Sequence, residues 1–432
     1  MHHPVFQTLA VLGLLLQTTP CAAADPAAPN GPATVDLPGL EVQLVANNPE
    51  IKATALRWRA AKARAPQAGA LPDPMINTGY HNESFSQFTL GSSDFSWVRV
   101  GAEQEVPFPG KLGLKQGVAE READRDGAVH RAAVLSAFTR LRVAYNDYYL
   151  AHQSIDLLRN SKSVLEQLTQ AAESRYRLGE GVQQDVARAQ LEQSILLGRL
   201  LTQEQARESA AAMVNALLNR PPTSPLGVPA PVDRRPLVYT LDQLETMATE
   251  RSPQVQAATF DVTRAETTLD LAKRQYYPDF VVRADYFNKG SIVPEWEVGA
   301  GIRVPLYFAQ KQTPGVHEAA AAVGEAREVR QGVRQDVLAR LKDYHAQATS
   351  AQRLVELYGA VVRPQAELSL DSASAAYQVG KVDFLTVVNN FTTLNEYRLR
   401  YYEELANYDK ALARLDEAAG ILPDTVQGGT TP

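Results

Sequence analysis

Asn48-Pro49-Glu50-Ile51-Lys52-Ala53 returns in the second half of the chain as Ser252-Pro253-Gln254-Val255-Gln256-Ala257. Each copy sits in an Ala-rich helical stretch that ends at a proline, Pro74 and then Pro278. Each continues into alternating, strand-like sequence with a tryptophan, Trp97 and then Trp296, and reaches a Val-Pro pair, Val106-Pro107 and then Val304-Pro305. A very long polar helix follows and closes on Tyr-x-x-Gly: Tyr176-Arg177-Leu178-Gly179, and later Tyr377-Gln378-Val379-Gly380. A spacing of roughly 200 residues is too long for a solenoid repeat. It implies a duplicated half-structure, with two strand hairpins and two helical hairpins in one chain.

The 432 residues carry a formal net charge of −6 and one cysteine. Residues 1–24 read as a signal peptide: Val5 to Leu16 is largely apolar, and Ala22-Ala23-Ala24 offers a small-residue cleavage site. That apolar run is too short to cross a bilayer as a helix. Cys21 raises lipidation as an alternative at this end. Cleavage after Ala24 removes the only cysteine, and with it disulfides and thiolate metal sites. A mildly acidic, exported chain is not a nucleic-acid binder. No later window of 18 or more residues is continuously apolar, so membrane contact falls to strands or to an amphipathic face.

The expected organisation is a first repeat over 25–220, with a strand hairpin near 75–107 and a helical hairpin near 113–219. A Pro-rich linker over 221–240 joins it to a second repeat over 241–420, with strands near 279–307 and helices near 315–420. A tail, 421–432, closes the chain. In the first hairpin, Val98, Val100 and Ala102 share one face and Trp97, Arg99, Gly101 and Glu103 the other. In the second, Trp296, Val298, Ala300 and Ile302 alternate with Glu297, Gly299, Gly301 and Arg303. A period of two with one apolar face marks a half-buried strand, here of a length that crosses a bilayer when tilted. The matched positions of Trp97 and Trp296 point to an aromatic girdle at the membrane interface.

In the long helices, Leu135, Phe138, Leu141, Tyr145, Tyr148, His152, Ile155 and Leu158 fall at three- and four-residue steps. So do Val329, Val333, Val337, Leu341, Tyr344, Ala348, Ala351, Val355 and Tyr358. That spacing is a coiled-coil seam on helices roughly 90 Å long. Pro364 is expected to kink the second of them. Gly179 and Gly380 are expected to turn the chain at positive φ.

Four membrane-length strands cannot close a barrel alone, and an open edge in lipid leaves backbone groups unsatisfied. The chain therefore has to oligomerise. Three copies give twelve strands around a water-filled lumen and a matching ring of helices. The expected fold is an α+β membrane protein: a homotrimer with a twelve-stranded outer-membrane β-barrel continued by an α-helical barrel.

The order, spacing and duplication of these motifs resemble the TolC family of outer-membrane efflux ducts over essentially the whole mature chain. Val106-Pro107-Phe108-Pro109-Gly110-Lys111 is similar to the Pro-Gly-Lys segment of the branch that exports heavy-metal cations, with Leu112 where that branch carries Arg. The resemblance implies that Tyr176, Arg177, Leu178, Gly179 and Glu180, with Tyr377, Val379, Gly380 and Lys381, form the periplasmic tips. These would dock a periplasmic adaptor protein beside an inner-membrane pump of the RND type. Tyr377 matches a gate tyrosine. Val382 stands where the family carries an arginine, and Thr386 and Asn389 stand where it carries gate aspartates, so Asp383 and Asp185 become substitute candidates.

No phosphate loop, nucleophile elbow or metal-ligand spacing is present, and the five mature histidines are scattered. The sequence thus points to the exit duct of a tripartite efflux system, exporting heavy-metal cations or small toxic compounds, without catalytic residues or cofactor. Two alternatives share some of these features: an outer-membrane duct for type I protein secretion, and a periplasmic coiled-coil adaptor or scaffold.

Overall fold

The computed structural model describes residues 34–231 and 235–422. The expected signal peptide, Cys21 included, and most of the 421–432 tail lie outside the described residues. Helices α1 (Leu37–Asn47) and α2 (Pro49–Gly69) lead into strands β2 (Met75–His81) and β3 (Trp97–Val106). Helices α3 (Lys111–Arg177) and α4 (Gln183–Leu217) follow. The second half repeats this order with α5 (Leu241–Arg251), α6 (Pro253–Arg274), β5 (Asp279–Asn288) and β6 (Glu295–Arg303). It ends with α7 (Gln312–Leu357), α8 (Arg363–Gln378) and α9 (Phe384–Ala419). Two short strands, β1 (Thr34–Val35) and β4 (Val228–Pro229), pair in parallel beside the helices.

Local chemistry explains the helix breaks. Asn48 ends α1 and caps α2, accepting from the Glu50 and Ile51 amides at 3.0 and 3.1 Å. Its amide nitrogen reaches the Leu217 carbonyl at 2.8 Å, so the same side chain ties the break to the end of α4. The second break is built differently. Thr240 opens α5 with a reciprocal capping box to Gln243, while Ser252 makes no side-chain cap for α6. There the end of α9 comes close instead: Gly420, at φ +74°, abuts the Arg251 carbonyl, where any side chain would collide.

Each repeat has its own core around its break. Leu40, Leu44, Phe138, Leu141, Tyr145 and Val214 form the first, and Leu244, Ala248, Val337, Leu341, Tyr408 and Leu412 the second. Most of the two expected seams is buried, but Val329 is exposed and His152, Val333, Tyr344 and Tyr358 are only half-buried. The α3 helix runs unbroken for 67 residues, roughly 100 Å. Its counterpart does not. Tyr358–Val362 forms a π-helical turn between α7 and α8, and Pro364, which has no amide to donate to the preceding turn, stands just after it.

The four long strands form one antiparallel sheet in the order β2-β3-β5-β6. The halves meet at β3 and β5, where Ala102 faces Ala284. The outer edges of β2 and β6 have no strand partner within the described residues.

Candidate functional site

The register assigns each strand residue to a face, because directly paired residues share a side. One face carries Ile76 and Tyr80, then Val98, Val100 and Ala102, then Val282, Ala284 and Tyr286, then Trp296, Val298, Ala300 and Ile302. Many of these apolar side chains are exposed, with Trp296 at 77%. The opposite face carries Arg99, Glu103 and Glu105, then Arg283 and Asp285, then Glu297 and Arg303. Its charges pair across strands: Arg283 donates to Glu297 at 2.7 Å and Arg303 to Glu105 at 2.8 Å, with Arg99 3.9 Å from Asp285. Glycines make room for these pairs. A methyl group at Gly101 would strike the Asp285 carboxylate, and one at Gly299 would lie 2.7 Å from Arg283 Nε.

The two tryptophans expected to share a girdle stand on opposite faces. Trp296 lies on the apolar face. Trp97 begins the polar-face series, stacks on His81 at 4.6 Å and meets the edge of Phe287 at 5.7 Å. The alternation in the sequence already set Trp97 with Arg99 and Glu103, and Trp296 with Val298 and Ala300, and the register agrees: β3 and β6 alternate in opposite phase. Other aromatic residues join Trp296 at the ends of the apolar face. Tyr80 with Phe88, and Tyr286 paired with Trp296, stand toward the hairpin end, and Phe108 stacks on Tyr277 at 4.6 Å at the helical end.

Between sheet and helices lies a buried strut. Lys111, 3% exposed, donates to the Tyr277 carbonyl and to Asp279 Oδ1, both at 2.8 Å. The same carboxylate oxygen accepts the Phe108 amide at 2.8 Å. Val106-Pro107-Phe108-Pro109-Gly110-Lys111 is therefore a joint that binds the first repeat to the second, with Gly110 at φ +90°.

At the far end of the helices both hairpins close alike. Gly179 and Gly380 have φ of +76° and +73°. The Glu180 and Lys381 amides reach back to the Arg175 and Ala376 carbonyls at 2.9 Å, completing the usual glycine-stopped helix end. Tyr176, Arg177, Leu178, Glu180, Val379 and Lys381 are exposed. Tyr377 is half-buried, with its ring 5.7 Å from that of buried Phe384. The sequence reading missed Arg175, which joins the two tips. It donates to the Tyr377 carbonyl at 3.1 Å and lies 4.7 Å above the Tyr377 ring. The second repeat has Ala376 at that rank, so the duplication gave no signal for it.

Asp383 caps α9, accepting from the Thr386 amide at 2.9 Å and from its hydroxyl. Those bonds hold its carboxyl below the ordinary value. Burial pushes the Asp185 carboxyl up, the Asp383 charge adds to the rise, and Arg175 opposes it. The tips thus bring Asp185, Arg175, Tyr377 and Asp383 into one cluster. Asn389 is exposed further along α9 and joins no bond of the cluster. Among the described residues no three His, Cys, Asp or Glu side chains converge as a metal site, and no helix is long and apolar enough to cross a membrane.

Comparison with known proteins agrees with this geometry. The cobalt-zinc-cadmium resistance protein CzcC of Cupriavidus metallidurans is 21% identical over 385 residues, 87% of each chain. The outer membrane protein VceC of Vibrio cholerae superposes with a TM-score of 0.75 at 18% identity, covering 89% of this chain and 96% of that one. CusC gives 0.77 at 14% identity, covering 89% and 92%. The open-state MtrE channel of Neisseria gonorrhoeae gives 0.74 at 15%, covering 90% of both chains. The family model for outer membrane efflux proteins matches residues 40–220 and 244–421, both repeats almost from end to end, and the chain belongs to that family.

Proposed function

We propose that the protein is the exit duct of a three-component efflux assembly, a homotrimer that carries heavy-metal cations across the outer membrane. One observation carries the reading: the sheet has an apolar face, a charged face and two open edges, and it continues directly into long helical hairpins. Three copies of four strands make twelve, which closes both edges and encloses a wet lumen. The charged face then lines water and the apolar face meets lipid. The Tyr176–Glu180 and Tyr377–Lys381 tips dock a periplasmic adaptor, with an inner-membrane RND pump supplying the energy. The Asp185, Arg175, Tyr377 and Asp383 cluster is the gate candidate. The duct itself performs no chemistry.

The metal cargo is supported by the name of the Cupriavidus relative and by the Pro109-Gly110-Lys111 segment. Deleting the gene in its native host and challenging with cobalt, zinc and cadmium tests it. Sensitivity restored to wild-type tolerance by the gene supports metal export. Unchanged tolerance with loss of a secreted protein replaces it with the protein-secretion duct.

A further inference from the structure

In the segment joining β2 to β3, several polar groups turn inward onto two residues, while Glu83, Gln87 and Asp94 stay exposed. Ser96, fully buried, accepts the Glu83 amide at 3.0 Å and shares a bond with the Thr89 hydroxyl at 2.5 Å. Asn82 donates to the Gln87 carbonyl at 2.8 Å and accepts the Thr89 amide at 3.0 Å and the Tyr80 hydroxyl at 2.6 Å. Its aromatic residues point outward: Phe85 is 112% exposed, Phe88 72% and Phe95 64%. Three large aromatic side chains left exposed on one short loop mark a contact surface rather than an ordinary loop in water.

This outward surface continues the face that meets lipid. Phe88 stacks on Tyr80 at 5.5 Å, and Tyr80 belongs to the apolar side of the sheet. The segment is also clamped. Ser291 of the neighbouring loop donates to the Gly91 carbonyl at 2.5 Å, and the backbones approach so closely that a methyl on Gly290 would lie 2.9 Å from Gly91 Cα.

We propose that residues 82–96 form a membrane anchor, with Phe85, Phe88 and Phe95 seated at the headgroup–acyl boundary of the outer leaflet. Aromatic rings favour that boundary, where an apolar body meets a wet surface. The occupant is lipid and not a second copy of the chain, because copies meet edge to edge in the plane of the sheet while Phe88 lies against its face. The inference rests on the duct reading, and its test separates the two.

Phe85→Cys, Phe95→Cys and, as reference, Val298→Cys are made in a Cys21→Ser background, spin-labelled, and reconstituted as assembled protein in phospholipid vesicles. Accessibility to oxygen is compared with accessibility to a water-soluble nickel chelate. Greater oxygen accessibility at 85 and 95, as at 298, is the expected result. Greater nickel accessibility at 85 and 95 with 298 in lipid overturns the anchor and leaves the duct. Labels at 85 and 95 shielded from both reagents place the rings against a neighbouring copy and also overturn it. A label at 298 that favours nickel removes the lipid face itself, and with it the duct reading.

Discussion

Lys111 Nζ lies 2.8 Å from Asp279 Oδ1, and by that bond the first residue of α3 holds the first residue of β5. The pair joins the two repeats where strands give way to helices. Breaking a buried pair strands the remaining charge, at a cost of about 3 kcal/mol. Lys111→Met is expected to lower the temperature at which the assembled protein dissociates on heated gels. Lys111→Met with Asp279→Asn is expected to recover part of that loss, since no charge is then left unpaired.

The face assignment predicts unequal effects for neighbouring residues. Ala300→Arg puts a charge on the lipid face and is expected to impair insertion by about 2–4 kcal/mol if it lies near the midplane. Gly301→Arg points toward the charged face, where the nearest atom to an added methyl is Val281 Cβ at 3.8 Å. It is expected to insert at near wild-type yield. Outer-membrane yield of the two variants is the measurement, and equal losses contradict the register.

At the tips, nothing lies within 4 Å of a methyl group added at Gly380, so its constraint is the backbone alone. Gly380→Val is expected to cost about 1–2 kcal/mol at the turn and to abolish export while leaving barrel assembly intact. Gly380→Asn, which tolerates positive φ, is expected to keep export. Export assays beside heat-modifiability gels separate the two variants.

Burial and the neighbouring Asp383 raise the Asp185 carboxyl, so its ionised form disfavours the folded tip. The stability it contributes is complete below its unfolded value and is lost as pH rises through the higher folded value. Asp383 behaves oppositely: Thr386 lowers its value, and the stability it brings is lost only as pH falls through that lower value. Asp185→Asn is expected to slow hydrogen exchange at the start of α4 at neutral pH. The difference is expected to vanish below the ordinary carboxylate value of 3.8.

The repeat, the proline breaks and the strand alternation were legible because each rests on local chemistry. A proline stops a helix, a period of two makes a face, and a glycine turns a tip. What escaped were relationships between distant positions. Arg175 is one more basic residue on a polar helix until the second tip is brought beside it. The π turn at Tyr358–Val362 left no pattern beyond Pro364, because a single wide turn is too short to set a period of its own. Lys111 read as part of a family segment, and only the fold shows Asp279 as its partner.

Gly101 and Gly299 give Asp285 and Arg283 floor space on which to lie flat. At these two positions the wall of such a passage lies at the level of the polypeptide backbone, with the two charged side chains spread across it. A hydrated ion crossing there meets groups already engaged with their neighbours: Arg283 with Glu297, and Asp285 with Arg99. A single methyl at either glycine would stand those side chains up and turn a plain pipe into a filter.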